Sequence, residues 1–372
     1  MTTHSYLNAD ELHEALSIRD LSNPAHGPHA MQELLHSVTQ ALQQTWNCTA
    51  RILRNPPIVS VSDNYDHLRY ESTDVTRARR YTRYASPTTM LRSHTSAEIP
   101  AALKSYTGRA EVDELLVIPG LVYRRDVVDS THVGEPHQVD LWRLRSTPDS
   151  TPQDLAEMIA CLVEAVLPGA RYKTTPAVHP YTIHGQQIDV LHDGQWLELA
   201  ECGLIHPRVL ELAGLDPRQY SGLALGMGMD RALMLRKSIP DIRYLRATGE
   251  RSAQQMLDLE PWKPVSLLPA ARRDISVVIN ASEDEETLGD VVRGALGEDA
   301  DLLESVQLLS RISYADLPPS ARERLGLGLD QDNALIRLTI RPLESTLTSS
   351  QANELRNQIY VAVHSGPYAE MI

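Results

Sequence analysis

Residues 220–231 read Tyr-Ser-Gly-Leu-Ala-Leu-Gly-Met-Gly-Met-Asp-Arg, and the fold is decided here. Glycines at 222, 226 and 228 let a backbone come close to another flat group, so an adenine or a substrate ring would lie against this strand. A helical segment begins around Gly228 and brings in Arg231, whose planar donor fork suits phosphate oxygens. Three segments upstream complement it. Trp196-Leu197-Glu198, followed by Glu201-Cys202-Gly203, offers Glu198 as a ligand for magnesium or ATP. Pro119-Gly120-Leu121-Val122-Tyr123-Arg124-Arg125-Asp126 offers a second phosphate arginine, Arg124, and continues through Asp129-Ser130-Thr131-His132, with His132 beside the nucleotide, to His137-Gln138-Val139-Asp140. Leu91-Arg92-Ser93-His94-Thr95-Ser96 is the last.

Together these segments supply what ATP-dependent activation of a carboxylate needs. One arginine serves the reacting phosphorus and the other the leaving pyrophosphate, while a magnesium ion on Glu198 neutralises the polyphosphate. His94, Ser96, Gln138 and Asp140 provide short polar contacts for an amino acid's ammonium and carboxylate. No nucleophilic side chain is required, because the substrate carboxylate itself attacks the α-phosphate, and catalysis reduces to positioning and electrostatics. Any one of these motifs alone reads as a packed loop; four in order on one chain do not.

The rest of the chain frames this core. At 372 residues two domains are expected. Hydrophobic residues at 42% and charged residues at 23% describe an ordinary globular protein. No apolar run is long enough for a membrane helix and the N-terminus lacks the features of a signal peptide, so a cytoplasmic protein without a membrane partner is expected. Three scattered cysteines, Cys48, Cys161 and Cys202, suggest neither disulfides nor zinc. A net charge of −14 excludes a general nucleic-acid coat and confines any RNA contact to a local patch.

Residues 1–50 read as a helical region, with apolar positions Met31, Leu34, Leu35, Val38, Leu42 and Trp46 on one face. Residues 51–262 read as a mixed core: strands at IVSV, ELLVIPGLVYR, QVDLWRL, QIDVLHD and QWLELAECG, and a helix opened by Ser150-Thr151-Pro152 and stopped by Pro168-Gly169. The proline-rich linker PWKPVS at 261–266 separates it from residues 265–372, whose strand-helix-strand-strand-helix order predicts a small α+β sandwich of ferredoxin-like type.

The segment around Arg124 resembles motif 2 of phenylalanyl-tRNA synthetases, and the segment around Arg231 resembles their motif 3. Ile205-His206-Pro207 through Gly214-Leu215-Asp216-Pro217 is similar to the bacterial catalytic subunit, while Arg273-Asp274-Ile275-Ser276 and Thr346-Leu347-Thr348 resemble the anticodon-binding domain. The resemblance implies an α+β fold, with a class II antiparallel sheet flanked by helices and fused to a ferredoxin-like domain. Its order is nearer the single-chain organellar enzyme than the two-subunit bacterial one. It also implies ATP and Mg2+ as cofactors, an amino acid and tRNA as substrates, a monomer or homodimer, and His179, Tyr181, Ala224 and Gly226 around the amino-acid side chain.

Departures are informative. His179-Pro180-Tyr181-Thr182 stands where the family has Phe-Pro-Phe-Thr, so the pocket rings can hydrogen-bond and would tolerate or prefer a polar substituent. Leu223 and Leu225 replace Phe, and Asp140 replaces Glu. The chain has 14 Tyr and 4 Trp but no Phe. A chain without phenylalanine can be translated when charged tRNA for phenylalanine is scarce, which suits a backup enzyme. Residues 265–372 lack lysine, so an anticodon patch would have to come from Arg272, Arg273, Arg337 and Arg341. A ligase for a non-tRNA acceptor and a non-catalytic tRNA-binding regulator are the alternatives.

Overall fold

The computed structural model describes residues 6–78, 81–124, 127–147, 150–265, 269–343 and 345–367. Arg125, Asp126, Ser266 and most of the terminal PYAEMI lie outside them. The chain divides into two compact units, the first running through Arg124 and taking in Glu135–Ile239 and Gln255–Trp262, the second containing Arg125–Gly134, Pro240–Gln254 and Lys263–Ile372.

The strands of the first unit are β1 (Thr49–Ile52), β2 (Ile58–Ser60), β3 (Thr89–Leu91), β4 (Asp113–Leu121), β5 (His137–Arg145), β6 (Tyr172–Pro176), β7 (Thr182–His192), β8 (Gln195–Ile205) and β9 (Ser221–Gly228). Seven form one sheet in the order β1-β4-β5-β9-β8-β7-β6, while β2 and β3 pair separately. Only β1 and β4 run parallel; the other neighbours in the large sheet are antiparallel.

Strand alternation explains the glycine-rich sequence. Leu223, Leu225 and Met227 of β9 point to one face, each 1% exposed, and Gly222, Ala224, Gly226 and Gly228 point to the other. Three helices, Ala30–Trp46, Pro152–Val166 and Met229–Lys237, pack together and against β5, β8 and β9. The opposite face carries Leu116, Ile118, Trp142, Leu144 and Ala224, packed with Ile99, Leu103, Val209 and Leu210 from shorter helices.

The helices begin and end where their sequences dictate. Met31, Leu34, Leu35, Val38, Leu42 and Trp46 form the buried stripe of Ala30–Trp46. The His29 ring accepts the Met31 N–H to open that helix, and Asn47 closes it in the left-handed region. Thr151 and Asp154 form a reciprocal capping box at Pro152–Val166.

The second unit is built on β10 (Ala271–Asn280), β11 (Leu303–Ser313) and β12 (Gln331–Ile340), antiparallel in the order β10-β12-β11. Helices Glu285–Leu296 and Ser349–Val363 pack with the sheet around Val277, Ile279, Val292, Ile336, Leu338 and Ile359. The strand and helix order matches the pattern expected from sequence, with one short helix, Pro319–Leu325, added between β11 and β12. Past the last helix, the Ser365 N–H donates to the Val278 carbonyl (2.8 Å). Val128 joins this unit's core, and its carbonyl accepts from the Val306 N–H (2.9 Å).

Candidate active site

The small face of β9 is the floor of a trough. Register sets its walls: Gln138 lies opposite Gly228, Asp140 opposite Gly226 and Trp142 opposite Ala224 on the β5 side, while Glu201 and Gly203 of β8 lie opposite Gly226 and Ala224. A side chain at Gly226 would meet the Gln138 amide nitrogen at 3.2 Å, confirming that both share this face. A side chain at Gly222 would run into the Arg143 carbonyl.

A bulge fixes the acidic wall. Along β7 and β8 the pairing passes from Ile188 opposite Ala200 to Asp189 opposite Glu198, leaving Leu199 as the extra residue. Glu198 and Glu201 are three apart and would face opposite ways in a regular strand; the extra residue turns them to the same face. Loss of water around Glu198, and then the charge of Glu201, push its carboxyl above the usual range, while Arg231 and Arg124 pull it back. Glu198 therefore lies within electrostatic reach of both arginines taken from the sequence as phosphate ligands.

Two connections set the arginines. Asp230 accepts from the His137 backbone N–H and lies 3.1 Å from that ring's Nδ1. The other ring nitrogen, Nε2, accepts the Leu21 N–H at 2.9 Å, which places the proton on Nδ1 and aims it at Asp230. The buried His137 thus ties the start of the Arg231 helix to the start of β5. On the other side, Arg92 pairs with Glu98 and donates to the Leu121 carbonyl (2.8 Å), fastening the Ser93–Glu98 stretch to the end of β4. Gly120 takes φ +151, and its missing side chain is the space the Arg92 guanidinium occupies.

Beyond Ala224 the trough runs into aromatic rings. Tyr181 stacks on Trp142 (5.8 Å, 23°) and lies against His179 (5.8 Å) and Tyr70 (6.3 Å). Tyr70 stacks in turn on His94 (5.5 Å, 20°). Burial, and then the neighbouring charges of Arg124 and Arg92, hold the His94 ring down at about 4, so it is neutral at physiological pH, and its Nδ1 is buried with no hydrogen-bond partner. His179 Nε2 lies 3.0 Å from Glu201 Oε2, and its Nδ1 is 3.2 Å from the Thr182 hydroxyl.

Most residues singled out from sequence meet here, but not all as expected. Asp140 is 1% exposed and accepts from Thr95 Oγ1 (2.5 Å), Ser96 Oγ (2.8 Å) and Trp142 Nε1 (2.9 Å). It ties Thr95, Ser96 and Trp142 together, and Ser96, spending its proton on Asp140, is buried with it. Gln138, Ala224 and Gly226 line the trough. His132 belongs to the second unit, where it binds Asp129 at 2.8 Å. Burial raises Asp129, but hydrogen bonds from His132 and Thr131 outweigh it and leave that carboxyl at about 2. Glu201 and the Asp230–His137 link, which the motifs do not single out, also belong to this region. The bulge that exposes Glu201 has no sequence signal, whereas Asp230 directly precedes Arg231 and was within reach.

Among the described residues no three metal-binding side chains cluster, and no helix is long and apolar enough to cross a membrane. The chain is 28% identical over 316 residues to the chloroplastic/mitochondrial phenylalanine–tRNA ligase of Arabidopsis thaliana, covering 82% of this chain and 68% of that protein. It is 25% identical over 394 residues to the mitochondrial phenylalanine–tRNA ligase of Saccharomyces cerevisiae, covering 84% and 81%. It is 32% identical over 204 residues to the phenylalanine–tRNA ligase alpha subunit of Nostoc punctiforme, covering 55% and 60%. The organellar matches cover more of the chain than residues 1–262 can supply, so they extend into the second unit. Residues 17–256, well over half the chain, match the model for the tRNA synthetases class II core domain (F), and with a seven-stranded, almost wholly antiparallel sheet carrying the site, the chain belongs to that family.

Proposed function

We propose that the chain activates phenylalanine or a close aromatic analogue with ATP and transfers it to a tRNA. The observation that carries this reading is that Arg124 and Arg231 both act electrostatically on Glu198, on the strand that pairs with Gly226 and Met227 of β9. An adenine ring or substrate lies on the side-chain-free face of β9. The two guanidinium forks hold the triphosphate, and the substrate carboxylate, brought in line, attacks the α-phosphorus with pyrophosphate leaving. A hydroxyl of the tRNA's terminal adenosine then attacks the adenylate's carbonyl carbon, and AMP leaves.

The donor set suits a magnesium ion. Glu198 sits beside a second carboxylate that disfavours its ionisation, and Mg2+ is commonly held by one or two carboxylates together with substrate phosphates and water. Bound there through Glu198, the ion would neutralise polyphosphate charge.

We assign the chain to the single-chain form, as monomer or homodimer, since its match to organellar relatives reaches past the core, and we place it in the cytosol. The empty phenylalanine count supports a backup role. Tyrosines fill the core where a plain ring would serve, each hydroxyl requiring a partner: Tyr65 Oη sits 2.7 Å from Thr82 Oγ1, and the buried Tyr220 donates to the Arg109 carbonyl.

Amino-acid-dependent ATP–pyrophosphate exchange, run with all twenty amino acids and ring-substituted phenylalanines, tests the reading. Exchange with phenylalanine and charging of its tRNA are expected. Exchange with an unrelated amino acid would overturn the substrate, and no exchange the enzyme.

A further inference from the structure

We propose that Glu201, held by His179, receives the ammonium group of the amino-acid substrate. The proposal rests on the adenylation reading and adds to it the group that fixes the substrate's α-carbon. An ammonium has three N–H donors and no acceptor, so it needs acceptors at the surface it meets. Asp140 is the carboxylate first expected there, yet it is buried and already takes three hydrogen bonds from Thr95, Ser96 and Trp142.

Glu201 occupies the mirror position. It lies opposite Gly226 on the other side of β9, two strand spacings or about 10 Å of backbone from Asp140. Its side chain keeps 41% of its surface open. His179 pins it at 3.0 Å, and Thr182 steadies that ring in turn. The charge of Glu201 is felt at Glu198, Tyr70 and Tyr181, so this stretch of the trough favours a cation.

Gln138 reaches Gly226 from the opposite wall with its amide nitrogen nearest, a donor end that suits the substrate's carboxylate and leaves Glu201 as the acceptor. An ammonium over Gly226 would sit on the Glu201 side of the strand. The substrate carboxylate would then point along β9 toward Gly228 and the arginines, and the ring toward Ala224, Trp142 and Tyr181. This orientation follows from the order of the rows along β9: phosphate ligands at one end, aromatic rings at the other.

The test is pyrophosphate exchange by Glu201→Gln, which keeps the shape and removes the charge, with Glu201→Asp as the conservative variant. Loss of a charge-assisted hydrogen bond should raise the KM for phenylalanine about ten- to a hundredfold. The KM for ATP should stay as in the wild type, and Glu201→Asp should fall between. The inhibition constant of 3-phenylpropanoate, which has the ring and carboxylate without the ammonium, should not change. An unchanged KM for phenylalanine would overturn the proposal. So would a parallel rise in the 3-phenylpropanoate constant, which marks a structural effect, or an altered preference among ring substituents, which makes Glu201 a reader of the side chain. A wild-type chain with no exchange overturns the adenylation reading and this proposal with it, whereas an active wild type and an indifferent variant overturn this proposal alone.

Discussion

Two sheets in this molecule carry arginines, and they use them in opposite ways. On the β8–β9 face, Arg124 and Arg231 act on Glu198, which is crowded by the like charges of Glu201 and Asp189 and pushed above its ordinary range. Carboxylates and guanidinium groups there act on one another at a single place. In and beside the β10-β12-β11 sheet, Arg311, Arg337 and Arg341 each have a carboxylate neighbour and Arg273 an amide one. Arg337 makes two 2.8 Å bonds to Asp274, Arg311 lies 2.6 Å from Asp332, Arg341 lies 2.7 Å from Glu304, and Arg273 donates to the Asn353 side chain at 2.8 Å. Of the four arginines read from sequence as an anticodon patch, three are thus engaged within the unit. A polyanion would have to displace carboxylates to reach Arg337 or Arg341, a poor basis for phosphate binding. An arginine's count says little; the carboxylate geometry around it decides whether it is a site or a strut.

The comparison breaks most visibly at Arg231. Arg231→Ala should lower pyrophosphate exchange about a hundred- to a thousandfold, as removal of one preorganised donor does, while Arg337→Ala leaves exchange at the wild-type rate. Equal losses, or none at Arg231, would erase the distinction between the sheets.

Next in size is a pH effect confined to the first unit. His94 is held at about 4 by burial, against roughly 6.5 in an unfolded chain. The unfolded state therefore binds the extra proton first, and stability present above about pH 6.5 is lost as pH falls toward 4, by on the order of 3 kcal/mol. Urea unfolding across that window should show the loss, and His94→Gln should flatten it. A wild-type profile no steeper than that of His94→Gln would remove the buried neutral ring from the account.

The smallest effect sharpens the second sheet. Salt dependence of tRNA affinity reports the number of phosphates neutralised, about 0.9 in slope per contact on duplex nucleic acid. Asp274→Asn releases Arg337 and should steepen that slope by up to one contact. If Arg337→Ala instead weakens the wild-type interaction with tRNA, the pair is a phosphate site after all.

Local features of the sequence translated well. The apolar stripe of Ala30–Trp46, the Thr151–Asp154 box and the small residues of β9 each act over a few residues, and the structure places them as their spacing requires. The motifs also leave Arg124 and Arg231 within electrostatic reach of Glu198. What stayed hidden depends on register or distance. The bulge at Leu199 turns Glu201 into the trough, and no alternation rule predicts where an extra residue is absorbed. The saturation of Asp140 requires Thr95 and Ser96, which lie more than forty positions away in the chain. The pairing of Arg337 with Asp274 depends on β10 and β12 lying side by side.

The position of β9 bears on how the protein is made. It is the last strand of the large sheet in sequence, yet it sits between β5 and β8. Until residue 228 has left the ribosome, those two strands present unpaired edges that nothing earlier in the chain can close, and open edges invite association with other chains. The strand that supplies the floor of the site is also the one that seals the sheet, so a nascent chain gains its binding surface and loses its stickiest edges in a single step.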